Sequence, residues 1–444
     1  MKDGKVRRSV RASVKDGVAW AGMTGFVEPY LIPFALALGA SNPAIGFLRA
    51  APPLAASLAQ LLNEKMILAL GSCRRAVRLD VLAQALSLFA AAAAGLLPAR
   101  WAVPCLALAM VAYTVSGNLA GPPWAALMGE YIPASRRGAF FGFRNQVVGV
   151  SFFAASLAAA KFLKFYPGVA AFSALFAAAG VLRLLSFRFI GGMYERPSGC
   201  HMPRPASAAP AAPRDPAGRS APGTDRGQCR PDPSLTPFLL SIFAAMFSVF
   251  LAAPYFSVYL LRDLEYGYVP YMMVMTSGQI VTYLVMRRWG WLADSFGSVR
   301  VLRFAFLSIP LVPLLWALAP SFHWLLAAEL FSGIVWAAYG MGTNNFIYEL
   351  GGISLRARYN ALFGFTACLG QFAGALAGGY LYGSLPGEAF VTLLYISAGL
   401  RLAAAVPFFR GVRERDVPGG HKPGFLLAAI GFRSVDVYPV PPGK

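Results

Sequence analysis

Charged side chains inside long apolar segments are the residues of this chain best suited to chemistry. Glu28 stands in an apolar segment at 17–38, and Pro29 follows it. Proline frees backbone groups and can bend a helix around a site. A carboxylate there can bind a cation or take up a proton, because burial favours its neutral form. Arg49 lies at a similar depth in the next segment and could instead neutralise Glu28 in a structural pair. Both interpretations hold if the pair forms in only one conformation.

A second carboxylate, Glu329, lies about two helical turns from one end of a segment at 323–347. It could be another proton or cation site, or a residue of a water-filled vestibule. Several neutral side chains could hydrogen-bond either a ligand or a neighbouring helix; these are Asn118, Tyr255, Tyr259, Gln279, Tyr283 and Gln371. Arg183 and Arg401 occupy matching places in two segments, which favours structural roles.

Several kinds of site are missing from the sequence. There is no phosphate-binding Gly-x-x-x-x-Gly-Lys-Ser/Thr loop, which argues against an ATP-driven process. No Ser-His-Asp arrangement and no metal-ligand spacing appears among the 3 His and 5 Cys. We therefore expect no catalytic residues, no metal and no cofactor, and the chain is not predicted to be an enzyme.

The composition identifies the elements that must position these residues. Of the 444 residues, 57% are hydrophobic and only 13% charged, whereas soluble domains carry about 25% charged residues. The net charge of +20 does not indicate a nucleic-acid partner, because the apolar stretches reach about twenty residues, enough to span a bilayer. Twelve such segments are predicted near 17–38, 43–63, 77–97, 101–127, 139–160, 168–190, 236–260, 268–288, 300–319, 323–347, 360–383 and 388–410. They must be helices, since lipid offers backbone groups no partner.

Basic residues predict the orientation of these helices. With the N-terminus inside, the even-numbered connections and both tails hold 31 of the 39 Lys and Arg, and the opposite side holds four. This asymmetry predicts that both termini are cytoplasmic. The Ala- and Arg-rich composition favours a bacterial inner membrane.

The chain divides into two similar halves. We predict a six-helix bundle at 1–190, a disordered cytoplasmic linker rich in Pro, Ala and Arg at 191–235, a second six-helix bundle at 236–410 and a cytoplasmic tail at 411–444. The halves repeat short motifs: Ala179-Gly-Val-Leu-Arg183-Leu184 matches Ala398-Gly-Leu-Arg401-Leu402. Two such halves around a central site are typical of secondary transporters.

A loop between the eighth and ninth segments carries the most specific motif, Gly290-Trp-Leu-Ala-Asp294-Ser-Phe-Gly297-Ser-Val-Arg300. It resembles the loop signature of the major facilitator superfamily, Gly-x-Leu-Ala-Asp-Arg-x-Gly followed by basic residues. In that family the signature usually lies between helices 2 and 3 and is echoed between helices 8 and 9. The first-half copy departs from the pattern, since Leu68 stands where Asp294 would align. Either Glu64 replaces the lost carboxylate, or the gate depends mainly on the second copy.

The resemblance implies an all-α integral membrane protein with twelve transmembrane helices in two pseudo-symmetric bundles. It implies transport of a small solute by alternating access, as a symporter or antiporter, with protons as a possible coupling ion. The expected gating loop comprises Gly290, Asp294, Gly297 and Arg300, with Arg144 at the start of the fifth helix as its partner. The expected partners are a small-molecule substrate and the lipid bilayer, and the expected state is a monomer.

The substrate and the class of protein leave alternatives open. An amphipathic or cationic compound for export and a small neutral nutrient such as a sugar are both compatible with the sequence. From a different class, a non-transporting receptor or sensor on the same scaffold is the alternative. The presence of the loop motif argues against it, as do a linker and tail that look unstructured rather than like a signalling domain.

Overall fold

The computed structural model describes residues 2–132, 134–195, 232–350, 356–386 and 388–413, and these residues are almost entirely helical. The predicted linker at 191–235 and the tail at 411–444 fall largely outside the described residues. Twelve helices follow one another: α1 (Lys2–Val27, continued by Leu31–Ala37), α2 (Asn42–Leu70), α3 (Cys73–Leu96), α4 (Ala99–Tyr131), α5 (Ala134–Phe165), α6 (Val169–Gly191), α7 (Leu235–Asp263), α8 (Tyr268–Phe296), α9 (Ser298–Ala317), α10 (Phe322–Leu350), α11 (Arg356–Ser384) and α12 (Ala389–Gly411).

Eleven of these helices, α2 to α12, are long and apolar enough to cross a membrane within the described part of the chain. α1 completes the predicted set of twelve, and its first half carries the basic residues that begin the sequence. The fold class is therefore that of a multi-pass membrane protein, as the apolar segments predict.

The packing of the helices repeats between the two halves. In the first half, α1 packs against α5 and α6, α2 against α4, and α3 against α4 and α6. The second half shows the equivalent pairs, with α7 against α11 and α12, α8 against α10, and α9 against α10 and α12. The halves meet where α2 packs on α11 and α5 on α8. The molecule is therefore two pseudo-symmetric six-helix bundles, as predicted.

The first helix of each half is interrupted at a Pro-Tyr pair. α1 has a turn at 28–30, and α7 passes through a 3₁₀ turn at Ala253–Tyr255. Each tyrosine then ties the interrupted helix to a neighbour: Tyr30 Oη donates to the Ser156 carbonyl at 2.6 Å, and Tyr255 Oη donates to the Ala375 carbonyl at 2.5 Å. Proline lacks a backbone donor and weakens the helix at both places, although Pro104 and Pro407 lie within continuous helices.

Glycines on α11 allow α7 to approach closely. Gly370, Gly374 and Gly378 face the backbone of α7, and a Cβ at Gly374 would collide with the Phe247 carbonyl. A stripe of small residues at every fourth position permits backbone contact between membrane helices. This pair of helices is therefore held by a surface that tolerates no side chain.

The helix order places the N-terminus, the end of α6, the start of α7 and the end of α12 at one end of the bundle, called here the linker end. The other end is called the far end. At the far end the two halves touch: Tyr271 Oη of α8 donates to the Pro29 carbonyl at 2.7 Å, and Arg262 Nη1 donates to Asn42 Oδ1 at 3.3 Å. The Phe172 and Tyr268 rings, one from each half, lie 5.7 Å apart. The halves are therefore closed against each other at the far end.

We expect Gly374→Ala to lower the thermal stability of the purified protein, because the added methyl group forces α7 and α11 apart at a cost of about 1–3 kcal/mol. Gly364→Ala, on the same helix, is the matched control. A Cβ at that position meets no atom within 4 Å. The control should melt at the wild-type temperature or slightly above it. Equal melting of the two variants would argue against close packing of α7 on α11.

Candidate functional site

Glu28 and Arg49 of the first half form an ion pair. Glu28 lies in the turn that interrupts α1, and Arg49 projects from α2, with Arg49 Nη1 3.8 Å from Glu28 Oε2. Tyr113 of α4 donates a long hydrogen bond of 3.5 Å to Glu28 Oε1. The two charged side chains keep 47% and 46% of their surface exposed. The pair anticipated from the sequence therefore forms, and about half of its surface is not covered by other parts of the protein.

The far-end closure begins at the residue next to Glu28. Tyr271, buried on α8, binds the Pro29 carbonyl, and its hydroxyl also lies 3.0 Å from Ser257 Oγ. Closer to the far end, Asp263 accepts from Arg262 Nε at 3.0 Å and from Tyr382. The exposed ion pair thus lies directly beside the contacts that hold the two halves together.

A second group of charges is sealed inside the first half. Asp16 of α1 lies 3.9 Å from Arg183 Nη1 and 3.8 Å from Arg144 Nη2, and it accepts a hydrogen bond from Ser186. The Asp16 and Arg183 side chains are only 6% and 5% exposed. Sequence reasoning missed Asp16 because it stands one residue before the predicted segment at 17–38. The sequence feature that could have indicated it is a single carboxylate between the basic N-terminal residues and the first apolar segment.

Arg144, the expected partner of the gating loop, joins this sealed group. Besides Asp16, it stacks over the Trp124 ring at 4.4 Å and donates from Nε to the Ser13 carbonyl at 3.4 Å. The structure therefore brings Arg144 together with Asp16 rather than with Asp294.

Arg401 of α12, the repeat counterpart of Arg183, has different partners. Its Nε donates to Ser397 Oγ at 3.1 Å and its Nη1 to the Ile309 carbonyl at 3.2 Å. No carboxylate lies within ion-pair distance of Arg401 among the residues that the structure describes. The repeated motif thus has an anionic partner in only one half.

The gating loop forms a tight turn at the linker end between α8 and α9. Gly297 has a φ of 94°, a left-handed conformation that favours glycine, and Gly290 approaches Met341 of α10 so closely that a Cβ would lie 3.1 Å from its methyl carbon. Asp294 is exposed, and within the described ranges no residue forms a hydrogen bond or ion pair with it. Arg300 lies in the first turns of α9. The loop carboxylate is therefore available to a partner in another conformation.

Carboxylates hold the starts of α3 and α9 at the linker end. Ser298 Oγ donates to Glu349 Oε2 at 2.7 Å. In the first half, Glu195 accepts from Ser72 Oγ at 2.5 Å and from the Cys73 amide at 2.7 Å. Negative charge at a helix N-terminus is stabilising. Glu195 was missed from the sequence because it lies outside the predicted helices.

Glu329 lies apart from Glu28, within the second half. Trp316 Nε1 of α9 donates to Glu329 Oε1 at 3.0 Å, and the carboxylate packs beside Gly278 of α8. No cationic side chain pairs with it in the described part of the chain. It is therefore a carboxylate held by a neutral donor.

The neutral residues predicted as ligand contacts are dispersed. Tyr255 is used in its tie to α11, the Tyr259 ring stacks on Phe390 at 4.5 Å, and Gln371 Nε2 lies 3.8 Å from Met246 Sδ. Asn118, Gln279 and Tyr283 are exposed. Asn118 bonds to the Thr114 carbonyl of its own helix. The structure joins none of the six to Glu28 and Arg49 by a described hydrogen bond.

Comparison with known proteins identifies the family and the fold. The model of the family described as Major Facilitator Superfamily matches residues 18–375 and 238–435. A comparison with curated protein sequences found no match.

Solved structures with the same fold include several transporters. A mutant of the nucleoside transporter NupG superimposes with a TM-score of 0.69 at 12% identity, over 91% of this chain and 100% of that one. A bacterial homologue of the iron transporter ferroportin, in its inward-facing state, gives 0.68 at 14%, over 91% and 98%. The inward-open xylose transporter XylE from E. coli gives 0.64 at 15%, over 93% and 97%. Identities this low show a shared fold and nothing finer.

Asp16→Leu should destabilise the protein strongly, because it leaves the buried Arg183 guanidinium without its nearest anion, at a cost of about 3–5 kcal/mol. Glu28→Gln is the matched control. It breaks an exposed pair and should change stability by no more than about 1 kcal/mol. Thermal unfolding of the detergent-purified variants measures both effects.

The double variant Asp16→Leu with Arg183→Leu should recover part of the lost stability, since Arg183 no longer lies buried without an anion and Arg144 alone keeps a charge without its partner. If Asp16→Leu melts like Glu28→Gln, the sealed group does not stabilise the first half.

Proposed function

The chain belongs to the Major Facilitator Superfamily, and we propose that it moves a small solute across a membrane by alternating access. The observation that carries the proposal is the position of the exposed Glu28–Arg49 pair beside a closed far end. In this proposal a solute reaches the pair from the linker end. A secondary transporter opens its central site to one side of the membrane at a time and switches between the two sides.

Several finer features belong to this proposal. The halves at 1–190 and 236–410 rock as two bodies around the site, joined by the linker at 191–235. Positive residues favour a cytoplasmic linker end, so the closed far end faces outward and the structure corresponds to an inward-facing state. The chain acts as a monomer in a bacterial inner membrane. It needs no cofactor, because a solute or ion gradient drives the cycle.

Glu28 and Glu329 are the two candidate sites for a coupling proton or cation. Glu28 is exposed beside the closure and has a partner, Arg49, that can hold it or release it. Glu329 accepts from Trp316 and has no described cationic partner. A membrane carboxylate that lacks a fixed counter-charge is a default candidate for proton relay.

The gating loop acts in the opposite, outward-facing state. Asp294 is exposed here, and Arg144 is held by Asp16 across 3.8 Å. When the linker end closes, Asp294 approaches the N-terminus of α5 in the other half, whose dipole attracts a carboxylate. Arg144 lies farther along α5 and becomes a partner of Asp294 only by leaving Asp16. Gly297 permits the turn that presents it.

Alternating access predicts that the distance between the halves at each end has two populations, and that one end is open when the other is closed. Spin labels on Asn42→Cys and Arg262→Cys report the far end, where these side chains hydrogen-bond, and labels on Leu68→Cys and Arg287→Cys report the linker end. With native cysteines replaced, the linker-end distances should show a long and a short population. The linker-end cysteines first receive thioether-linked labels. Bridging the far-end cysteines with a bis-methanethiosulfonate, which releases a sulfinate as each disulfide forms, should then leave only the long population, and reduction should restore both. A single population of linker-end distances that does not change when the far end is cross-linked would refute alternating access.

Asp294→Ala should reduce the short linker-end population by about fivefold, because the closed state loses about 1 kcal/mol of interaction with a helix terminus. Glu64→Gln is the matched control, an exposed carboxylate at the same end in the first half. If Glu64→Gln has the larger effect, the displaced first-half carboxylate forms the gate instead.

A further inference from the structure

We infer that Glu28 and Arg49 together recognise a small zwitterion, whose ammonium group binds Glu28 and whose carboxylate binds Arg49. This inference rests on the proposed function, because it names the class of solute that the central site takes. Four observations support it: the accessibility of the pair, its absence from the second half, its unused hydrogen-bonding capacity and its position beside the closure.

Accessibility separates this pair from the other ion pair of the first half. The Asp16 and Arg183 side chains are 6% and 5% exposed, whereas Glu28 and Arg49 keep 46% and 47% of their surface. Neighbouring groups of the protein cover nearly the whole surface of Asp16 and Arg183, whereas about half of the Glu28 and Arg49 surface is not covered. The exposed pair therefore has room for a further group.

The second half shows that the scaffold does not need a carboxylate at this break. Pro29-Tyr30 and Pro254-Tyr255 interrupt equivalent helices and make equivalent ties to a neighbouring helix. The residue before the proline is Glu28 in the first half and Ala253 in the second. Since an alanine suffices for the break and the tie, the charge of Glu28 serves another purpose.

Both side chains retain hydrogen-bonding capacity. Their closest atoms are 3.8 Å apart, beyond hydrogen-bond range, and the Tyr113 contact with Glu28 is long at 3.5 Å. The guanidinium of Arg49 has five N–H donors and makes no other hydrogen bond to the residues the structure describes. A ligand carboxylate on this group would form strong, bidentate hydrogen bonds.

The opposite charges of Glu28 and Arg49 indicate which class of solute the pair would bind. The pair is neutral overall, so a lone cation or a lone anion would satisfy one member and leave the other without its counter-ion. An uncharged sugar would use neither charge. A molecule with an ammonium and a carboxylate a few bonds apart, such as an amino acid, complements both at once. The closeness of the two side chains favours such a short zwitterion.

The site is also placed to influence the closure. Pro29, whose carbonyl accepts from Tyr271 of the second half, directly follows Glu28 in the sequence. A ligand that moves Glu28 away from Arg49 would displace this backbone turn. Binding and far-end opening would thereby be coupled through a single peptide segment.

The test is a thermal-shift measurement on the purified full-length chain with four matched probes. Alanine carries both charges, propionate only the carboxylate, ethylamine only the ammonium, and xylose neither. Ligands that bind the folded state raise its melting temperature. Alanine, its lower homologue glycine or its isomer β-alanine should stabilise the wild type at concentrations at least about tenfold below those that the single-charge probes need.

Variants change the preference in opposite directions. Glu28→Gln should lose the response to alanine and gain relative preference for propionate, whereas Arg49→Gln should shift toward ethylamine. Arg49→Lys, which keeps the charge, should retain the preference for zwitterions at lower affinity. The melting temperatures without ligand show whether each variant is folded.

Equal stabilisation by single-charge probes, stabilisation by xylose alone, or no stabilisation by any zwitterion would overturn the inference. These results leave alternating access standing if the spin-label distances still show two linked populations. If those distances show one fixed population while zwitterions bind, the chain is a receptor for the same class of ligand.

Discussion

The hydrocarbon core of the bilayer contains no water, so each polar group in these helices must find its partner within the protein. This constraint explains contacts throughout the structure. The breaks in α1 and α7 are accompanied by tyrosine hydroxyls that bind carbonyls on α5 and α11. Arg401 uses a serine and a carbonyl where no carboxylate is near. Such isolated polar contacts act together with the close packing of small residues, as between α7 and α11, to hold the helices in register.

The same constraint separates structural charges from functional ones. Asp16, Arg183 and Arg144 form a compact group inside the first half, where removing one member would strand the others. Glu28 and Arg49 also lie well inside their helices by position in the sequence, yet about half of each side chain's surface remains exposed. The position of a charged residue within its apolar segment is therefore a weaker guide to function than the neighbours that surround it in the structure.

The two halves share a scaffold but differ in chemistry. Their helix pairs are equivalent, and both contain a Pro-Tyr break. The first half carries the central ion pair, while the second carries the gating carboxylate Asp294 and the Trp316–Glu329 contact. The features that both halves share maintain the fold. The features found in only one half are the candidates for binding a substrate or ion and for gating. Comparing equivalent positions thus provides an internal control within a single chain.

The sequence determined the twelve helices and the repeat, because hydropathy and motif spacing are properties of the local chain. The topology predicted from basic residues stays a prediction. The sequence also singled out Glu28 and Arg49, since charges in apolar segments are rare, but left their relation open. Only the tertiary structure decided that they meet, that Asp16 holds Arg144, and that Tyr255 is used in packing. These outcomes depend on how each helix is rotated toward its neighbours, and that rotation is set by contacts between residues far apart in the chain.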